Sequence, residues 1–386
     1  LAHFFERYIL PSAVSGLVMD AASIENLLPA YSRVVLTRGN CEFTVQDILA
    51  HAWFLGELQP AWTELMQGIA CEECANESDL EPDDELLNAM SEEFRYERDL
   101  LTVEETETWL QARDLTEEDF SGYLVRRYWR DNPPETAPEQ PAESEYLTTS
   151  AELRELLRVD LLFSGKFDEL ARAVGWRLAA AAELKQTETD PDLVQQERAR
   201  FLERIGLDES SLPEALKQLN RTATWLEDSL RLEVCYRQAS GSVISDQARA
   251  GALPSMRLPL TRINIQTLTL RSEEAAQEAF LCLTKDGLSL EQLAQECDVS
   301  WQERDLFLGD LPPEIQQEFL SAAPGEVLAP KPAEEGFVVA RLVNKTEPVL
   351  TDDQVRDRID QKLMESHFSE IASKHIRWVL GGPVHE

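Results

Sequence analysis

Two incompatible hydrophobic periods divide this chain. From Ser150 to about Arg237 the apolar residues recur every three or four positions: Leu153, Leu156, Leu157 and Leu161, then Phe167, Leu170, Ala171 and Val174, then Leu193 to Ile205 and Leu212 to Tyr236. That spacing sets them along one face of successive α-helices, and no β-rich run interrupts them. At Met256 the character changes. Arg262-Ile-Asn-Ile-Gln-Thr-Leu-Thr-Leu270 alternates apolar and polar positions with β-branched residues, the pattern of a half-buried strand. Segregated blocks of the two periods predict an α+β fold, with a second domain starting near residue 256.

Local signals extend this reading in both directions. Asn40 to Thr44 reads as a turn, with Thr44 as the N-cap of a helix whose apolar face comprises Ile48, Leu49, Trp53, Leu55, Leu58 and Trp62. Thr102-x-x-Glu105 and Thr116-x-x-Asp119 are capping boxes that open two further helices. The stretch 131–145 holds four prolines and no long apolar side chain, so it is expected to be an exposed linker or loop. After the strand at 262–270, helices are expected at Glu273 to Leu283 (capped by Ser272), Leu290 to Cys297 (capped by Ser289) and Pro313 to Leu320. A turn at Pro324-Gly-Glu-Val327 and a closing strand at Gly336 to Val343 follow. Thr351-x-x-Gln354 is expected to cap a last helix through Val355, Ile359, Leu363, Phe368, Ile371, Ile376 and Val379. The expected organisation is a mostly helical domain, residues 1–255 completed by 350–380, with a small α+β domain, residues 256–346, inserted in it.

Seventy-two acidic against 36 basic side chains leave a net charge of −36, which repels phosphate backbones and anionic membrane surfaces. Nucleic acid is thereby disfavoured as a partner, and no apolar run approaches the roughly 20 residues of a membrane span. Leu1-Ala-His-Phe-Phe-Glu-Arg lacks a basic start followed by an apolar core, so a cytoplasmic location is expected. The six cysteines, Cys41, Cys71, Cys74, Cys235, Cys282 and Cys297, are too sparse for a disulfide scaffold and are read as thiols.

Chemistry-bearing motifs are few. Cys71-Glu-Glu-Cys74 has the spacing of half a zinc site, but no second pair exists and its acidic interior disfavours thiolates. His367 and His375 stand too far apart on one helix to share a metal. Glu72 to Asp119, with 19 acidic and 3 basic residues, lacks a calcium-loop pattern and reads as a solvated helical face. Phosphate-binding glycine loops and a nucleophile elbow are absent, so neither a cofactor nor a metal is expected.

The order of elements in the second domain, and the residues Thr267-Leu-Thr-Leu-Arg-Ser-Glu-Glu-Ala-Ala, Leu290-Glu-Gln-Leu-Ala, Leu311-Pro-Pro-Glu-Ile, Ala323-Pro-Gly-Glu-Val and Gly336-Phe-Val-Val-Ala-Arg-Leu, resemble the parvulin family of peptidyl-prolyl isomerases. The resemblance covers roughly Arg262 to Lys345. It implies a histidine in the first strand and another after the Gly-Phe of the last; this chain has Thr267 and Val338 there, and the middle catalytic position falls in Asp298-Val299-Ser300. Neither threonine nor valine rebuilds an imidazole network, so the resemblance implies a degenerate, non-catalytic domain. Its apolar proline pocket is carried over as Leu311, Ile315 and Leu320, side chains that serve equally well to fill the domain's own core. The chain between Arg304 and Leu311 is short, which reads as a truncated domain with an open groove.

A helical region, a parvulin-like insertion and a returning C-terminal helix together resemble parvulin-type peptide-binding chaperones. The run Phe94-Arg-Tyr-Glu-Arg-Asp-Leu-Leu-Thr, Thr108-Trp-Leu-Gln-Ala-Arg and Leu115-Thr-Glu-Glu-Asp-Phe is similar to precursor-binding proteins of ribosomal-peptide natural product pathways, such as those of crocagin. These resemblances imply a non-catalytic protein that holds a precursor peptide in a cleft and presents it to a peptide-modifying enzyme. The expected contacts are Trp301, Phe307, Leu308, Leu311, Ile315, Leu320 and Phe337, with Arg126-Arg127 as the basic patch for an acidic leader. An atypical prolyl isomerase and a general chaperone are the alternatives.

Overall fold

The computed structural model describes residues 30–138, 146–184, 190–297, 299–333 and 336–380. The fold is α+β: helices predominate, and the strands form one three-stranded and one four-stranded antiparallel sheet. The chain divides into two compact units, residues 1–239 with 368–386, and residues 240–367. The start of the chain and residues 139–145 of the expected linker lie outside the described residues.

In the first unit, Val34–Arg38 (β1) and Cys41–Thr44 (β2) form a hairpin, and Arg377–Trp378 pairs with the other side of β1. Sequence patterning does not reveal this sheet. Its strands are short, and one partner comes from the far end of the chain. Thr44 does cap a helix, Val45–Phe54 (α1): its hydroxyl accepts from the Asp47 N–H, and the Asp47 carboxylate accepts from the Thr44 N–H at 2.7 Å. The single helix expected through Trp62 is two, because Gly56 turns the chain at φ +74° before Leu58–Glu77 (α2) begins.

Asp84–Tyr96 (α3), Val103–Gln111 (α4) and Glu117–Asp131 (α5) follow, the last two opened by complete capping boxes at Thr102 and Thr116. Ala151–Phe163 (α6), Lys166–Glu183 (α7), Pro191–Ile205 (α8), Leu212–Gln218 (α9) and Ala223–Val243 (α10) complete the run. Apolar spacing packs these helices around aromatic groups. Phe163 is fully buried against Phe94, Trp109, Phe120 and Tyr123, with ring centroids 5.1–5.8 Å away. Buried charges are paired: Arg158, 2% exposed, donates to Glu155 and to the carbonyls of Arg113 and Asp114, and Glu197 accepts from Arg237 at 2.7 Å.

The second unit contains Asp246–Ala252 (α11), Arg262–Leu270 (β3), Glu273–Lys285 (α12), Leu290–Cys297 (α13), Trp301–Phe307 (β4), Pro313–Ser321 (α14), Lys331–Ala333 (β5) and Gly336–Thr346 (β6). Its sheet runs in the order β4-β3-β6-β5. The stretch before Leu311, which reads as short, thus carries a fourth strand. Asp353–His375 (α15) begins in this unit, and from Phe368 onward it belongs to the first, followed by Arg377–Trp378 (β7). Its cap is Asp352 rather than Thr351: the Asp352 carboxylate accepts from the N–H groups of Gln354 and Val355.

Candidate functional site

Side chains alternate across a strand, so the register of β3 sorts the four-stranded sheet into two faces. One face carries Leu268, Leu270 and Val339 and is covered by α12 and α13 through Ala276, Ala279, Leu283, Leu290 and Leu293. The other carries Ile263, Ile265 and Leu342, with Phe319 of α14 and Leu308 buried against them. Around this second core the cover is incomplete. Leu306, Leu311, Ile315, Leu328 and Ala340 are only half buried, which leaves an apolar strip partly open.

Two local features hold that strip in place. Gly336 has φ +111°, and a Cβ there would meet the Leu270 carbonyl oxygen at 2.3 Å, so the Gly-Phe start of β6 needs glycine for both conformation and space. The Pro-Gly-Glu-Val turn is pinned to β6: the Gly325 N–H donates to the Leu342 carbonyl at 2.6 Å, the Leu342 N–H to the Glu326 carbonyl at 2.9 Å, and the Leu328 N–H to the Ala340 carbonyl at 2.8 Å.

Thr267 pairs with Ala340, and Thr269 with Val338, so Thr267 and Val338 are diagonal neighbours on the face of the strip. Gln302 stands opposite Thr267 on β4 and Arg304 opposite Ile265, the Arg304 guanidinium donating to the Gln302 amide oxygen. No strand of this sheet contains a histidine. These groups can accept and donate hydrogen bonds to a chain laid across them.

The strand β4 is at the edge. It pairs with β3 over its whole length, from Arg262↔Phe307 to Leu268↔Trp301, and no described strand pairs with its outer side. Glu303 and Asp305 are exposed on it and accept from Asn264, and Glu303 also accepts from Gln266 at 3.1 Å. Charges on an edge strand discourage unselective sheet pairing.

The expected contacts do not converge on one surface. Leu308, Leu311 and Ile315 join the core of the strip, whereas Trp301 and Phe337 pack on the opposite face against the α12–α13 core. Phe307 is buried with Leu260, Val355 and Ile359, and the guanidinium groups of Arg262 (4.5 Å) and Arg358 (4.1 Å) both lie over its ring. Hydrogen bonds from Arg358 hold the Asp310 carboxyl below its ordinary range, and Arg262 does the same for Asp352. Leu320 is 41% exposed; Phe319, four residues after Ile315 and so on its helical face, is the buried one. Gln302, Arg304 and Leu306 are not legible as site residues, because a strand reading Trp-Gln-Glu-Arg-Asp-Leu-Phe is too polar to show its period, and Leu328 is placed only by its hydrogen bond to the Ala340 carbonyl of β6.

Arg126 and Arg127 do not form a free basic patch. Arg126 is buried and paired with Asp160 at 2.5 Å, and Arg127 lies between Glu93 (3.6 Å) and Asp131 (3.7 Å). Among the described residues no group of three or more His, Cys, Asp or Glu is placed to hold a metal ion, and no helix is long and apolar enough to cross a membrane.

No protein-family model matches the chain, and no curated protein matches it. Among solved structures it is similar to proteins described as the peptidylprolyl isomerase or foldase PrsA and as SurA-like chaperones. One is the peptidylprolyl isomerase PrsA of Bacillus cereus, at 11% identity and a TM-score of 0.35, over 56% of this chain and 85% of that one. Another is the foldase PrsA of Streptococcus pneumoniae, at 15% identity and a TM-score of 0.26, over 60% and 91%. A third is a SurA-like chaperone of Campylobacter jejuni, at 10% identity and a TM-score of 0.20, over 56% and 89%.

Proposed function

We propose that this protein is a non-catalytic, chaperone-like peptide binder that holds a precursor peptide in extended form and presents it to a peptide-modifying enzyme. The observation that carries this reading is the open outer edge of β4 beside the half-buried strip of Leu306, Leu311, Ile315, Leu328 and Ala340. A peptide added along β4 gains main-chain hydrogen bonds, and alternate side chains of that peptide reach the strip. Thr267 and Val338 supply no imidazole to polarise a prolyl carbonyl, which supports binding without catalysis. The net charge of −36 favours a neutral or basic bound segment.

The test is calorimetric titration with the small peptides encoded beside the gene, repeated with Leu311→Asp and Ile315→Asp variants whose thermal melting confirms folding. One peptide is expected to bind saturably, and each substitution to weaken it at least about tenfold, roughly 1.4 kcal/mol. Absence of binding, or binding that ignores both substitutions, overturns the reading. Acceleration of cis-to-trans conversion in a proline peptide, a step that takes tens of seconds or more uncatalysed, overturns its non-catalytic part.

A further inference from the structure

A cavity of about 280 Å³ opens in the first unit, walled by Tyr31, Leu49, Tyr146, Ala151, Arg154 and Leu219. It lies at the small end of ligand sites, which run from about 300 to 1,000 Å³, and so suits a group the size of one residue. Its walls are mainly apolar, but one side is cationic. The Arg154 guanidinium donates to the carbonyls of Leu147 (2.7 Å), Thr149 (3.3 Å) and Gln218 (3.4 Å), and its buried Nε has no partner. Among the described residues it pairs with no carboxylate. The neighbouring candidates are taken: Glu155 by Arg158 at 2.6 Å, and Asp47 by Arg221 at 2.8 Å. An arginine with no carboxylate partner among the described residues places positive charge at this cavity wall.

One further feature points the same way. Ala151 is the first residue of α6, whose dipole and N-terminal N–H groups, other than the Leu153 N–H already capped by the Ser150 hydroxyl, favour an anion at that end.

We propose that this cavity binds an apolar group bearing a carboxylate, the apolar part against Leu49, Tyr146 and Leu219 and the carboxylate toward Arg154 and the α6 N-terminus. The chemistry is shared by the C-terminal residue of a peptide and by a small free acid. The site is independent of the β4 strip.

Calorimetric titration of the whole protein uses three probes: acetyl-leucine, a hexapeptide ending in leucine as the free acid, and the same hexapeptide as its C-terminal amide. The free acid is expected to bind at one site at least about tenfold more tightly than the amide, since a charge-assisted hydrogen bond is worth roughly twice a neutral one. Equal binding of acetyl-leucine and the acid peptide identifies a small acid as ligand; binding of the peptide alone identifies a chain terminus. Arg154→Gln is expected to erase the preference for the acid. Because Arg154 also ties down backbone, Ala151→Phe is the second variant: it narrows the cavity, leaves the guanidinium, and is expected to abolish binding with melting unchanged. Leu311→Asp is expected to leave this binding intact. Equal affinity for acid and amide, unaltered binding in Ala151→Phe, or no heat from either acid at millimolar concentration overturns the proposal.

Discussion

His51, on α1, donates from Nδ1 to the Asp47 carbonyl at 2.8 Å and meets the edge of the Trp225 ring at 5.2 Å. Burial lowers its pKa to about 4 from an ordinary value of 6.5. Well above pH 6.5 the imidazole is neutral whether the chain is folded or not, and contributes nothing to pH dependence. As pH falls from 6.5 toward 4, the unfolded chain takes up a proton that the folded one refuses, so stability falls. Between pH 7.5 and 5 the loss is about 2 kcal/mol. Denaturant unfolding at the two pH values is expected to show this loss, and His51→Leu, whose side chain does not titrate, to lack it; an equal pH dependence in both proteins refutes the assignment. Nothing in the local sequence marks this histidine, because its burial is made by helices far away in the chain. The same limit explains Leu320. Its neighbour Phe319 fills the core only because α14 presents that phase of its turn, a rotation of about 100° per residue that apolar content alone does not specify.

Helix starts are the elements most open to reading, since a cap is complete within four residues. Thr102 and Thr116 both form the reciprocal bonds their spacing predicts, the Thr116 N–H donating to the Asp119 carboxylate at 2.8 Å and the Asp119 N–H to the Thr116 hydroxyl at 3.1 Å. Thr116→Ala is therefore expected to cost about 1 kcal/mol, and Thr116→Ser close to nothing. Urea unfolding that separates neither variant from the parent would show that the end of α5 is held by packing instead. Strands behave differently. The strand β3 is legible from its alternation over nine residues, but β1, β4 and β7 are short or polar and exist because of partners elsewhere. Arg377–Trp378 is a strand only because Leu36 and Thr37 pair with it, and Trp378 packs against Gly175, where a Cβ would lie 2.9 Å from the indole. The polarity of β4 conceals which strand forms the exposed sheet edge on which the proposed function rests.

At the scale of the whole chain, a net charge of −36 makes self-repulsion a standing cost of compaction. Many ion pairs are exposed, such as Arg358–Asp310 and Lys374–Glu370, and exposed pairs contribute little each. Raising sodium chloride from about 20 mM to about 500 mM shortens the screening length well below 10 Å and is expected to raise the melting temperature. A fall with salt would mean that the ion pairs outweigh the repulsion. Composition, periodicity and capping by themselves determined the α+β class, the run of helices, the strand at Arg262–Leu270 and the cap at Thr116, because each depends on residues within a turn or two of one another. Only the tertiary structure decided that β4 is the strand whose outer side no described strand pairs with, that Trp301 and Phe337 face away from Leu311 and Ile315, that Arg126 is committed to Asp160, and that Arg154 stands beside a cavity with no carboxylate partner among the described residues. Sheet register, helix phase and the neutralisation of a buried charge are set by partners distant in sequence, and no local pattern encodes which partner arrives.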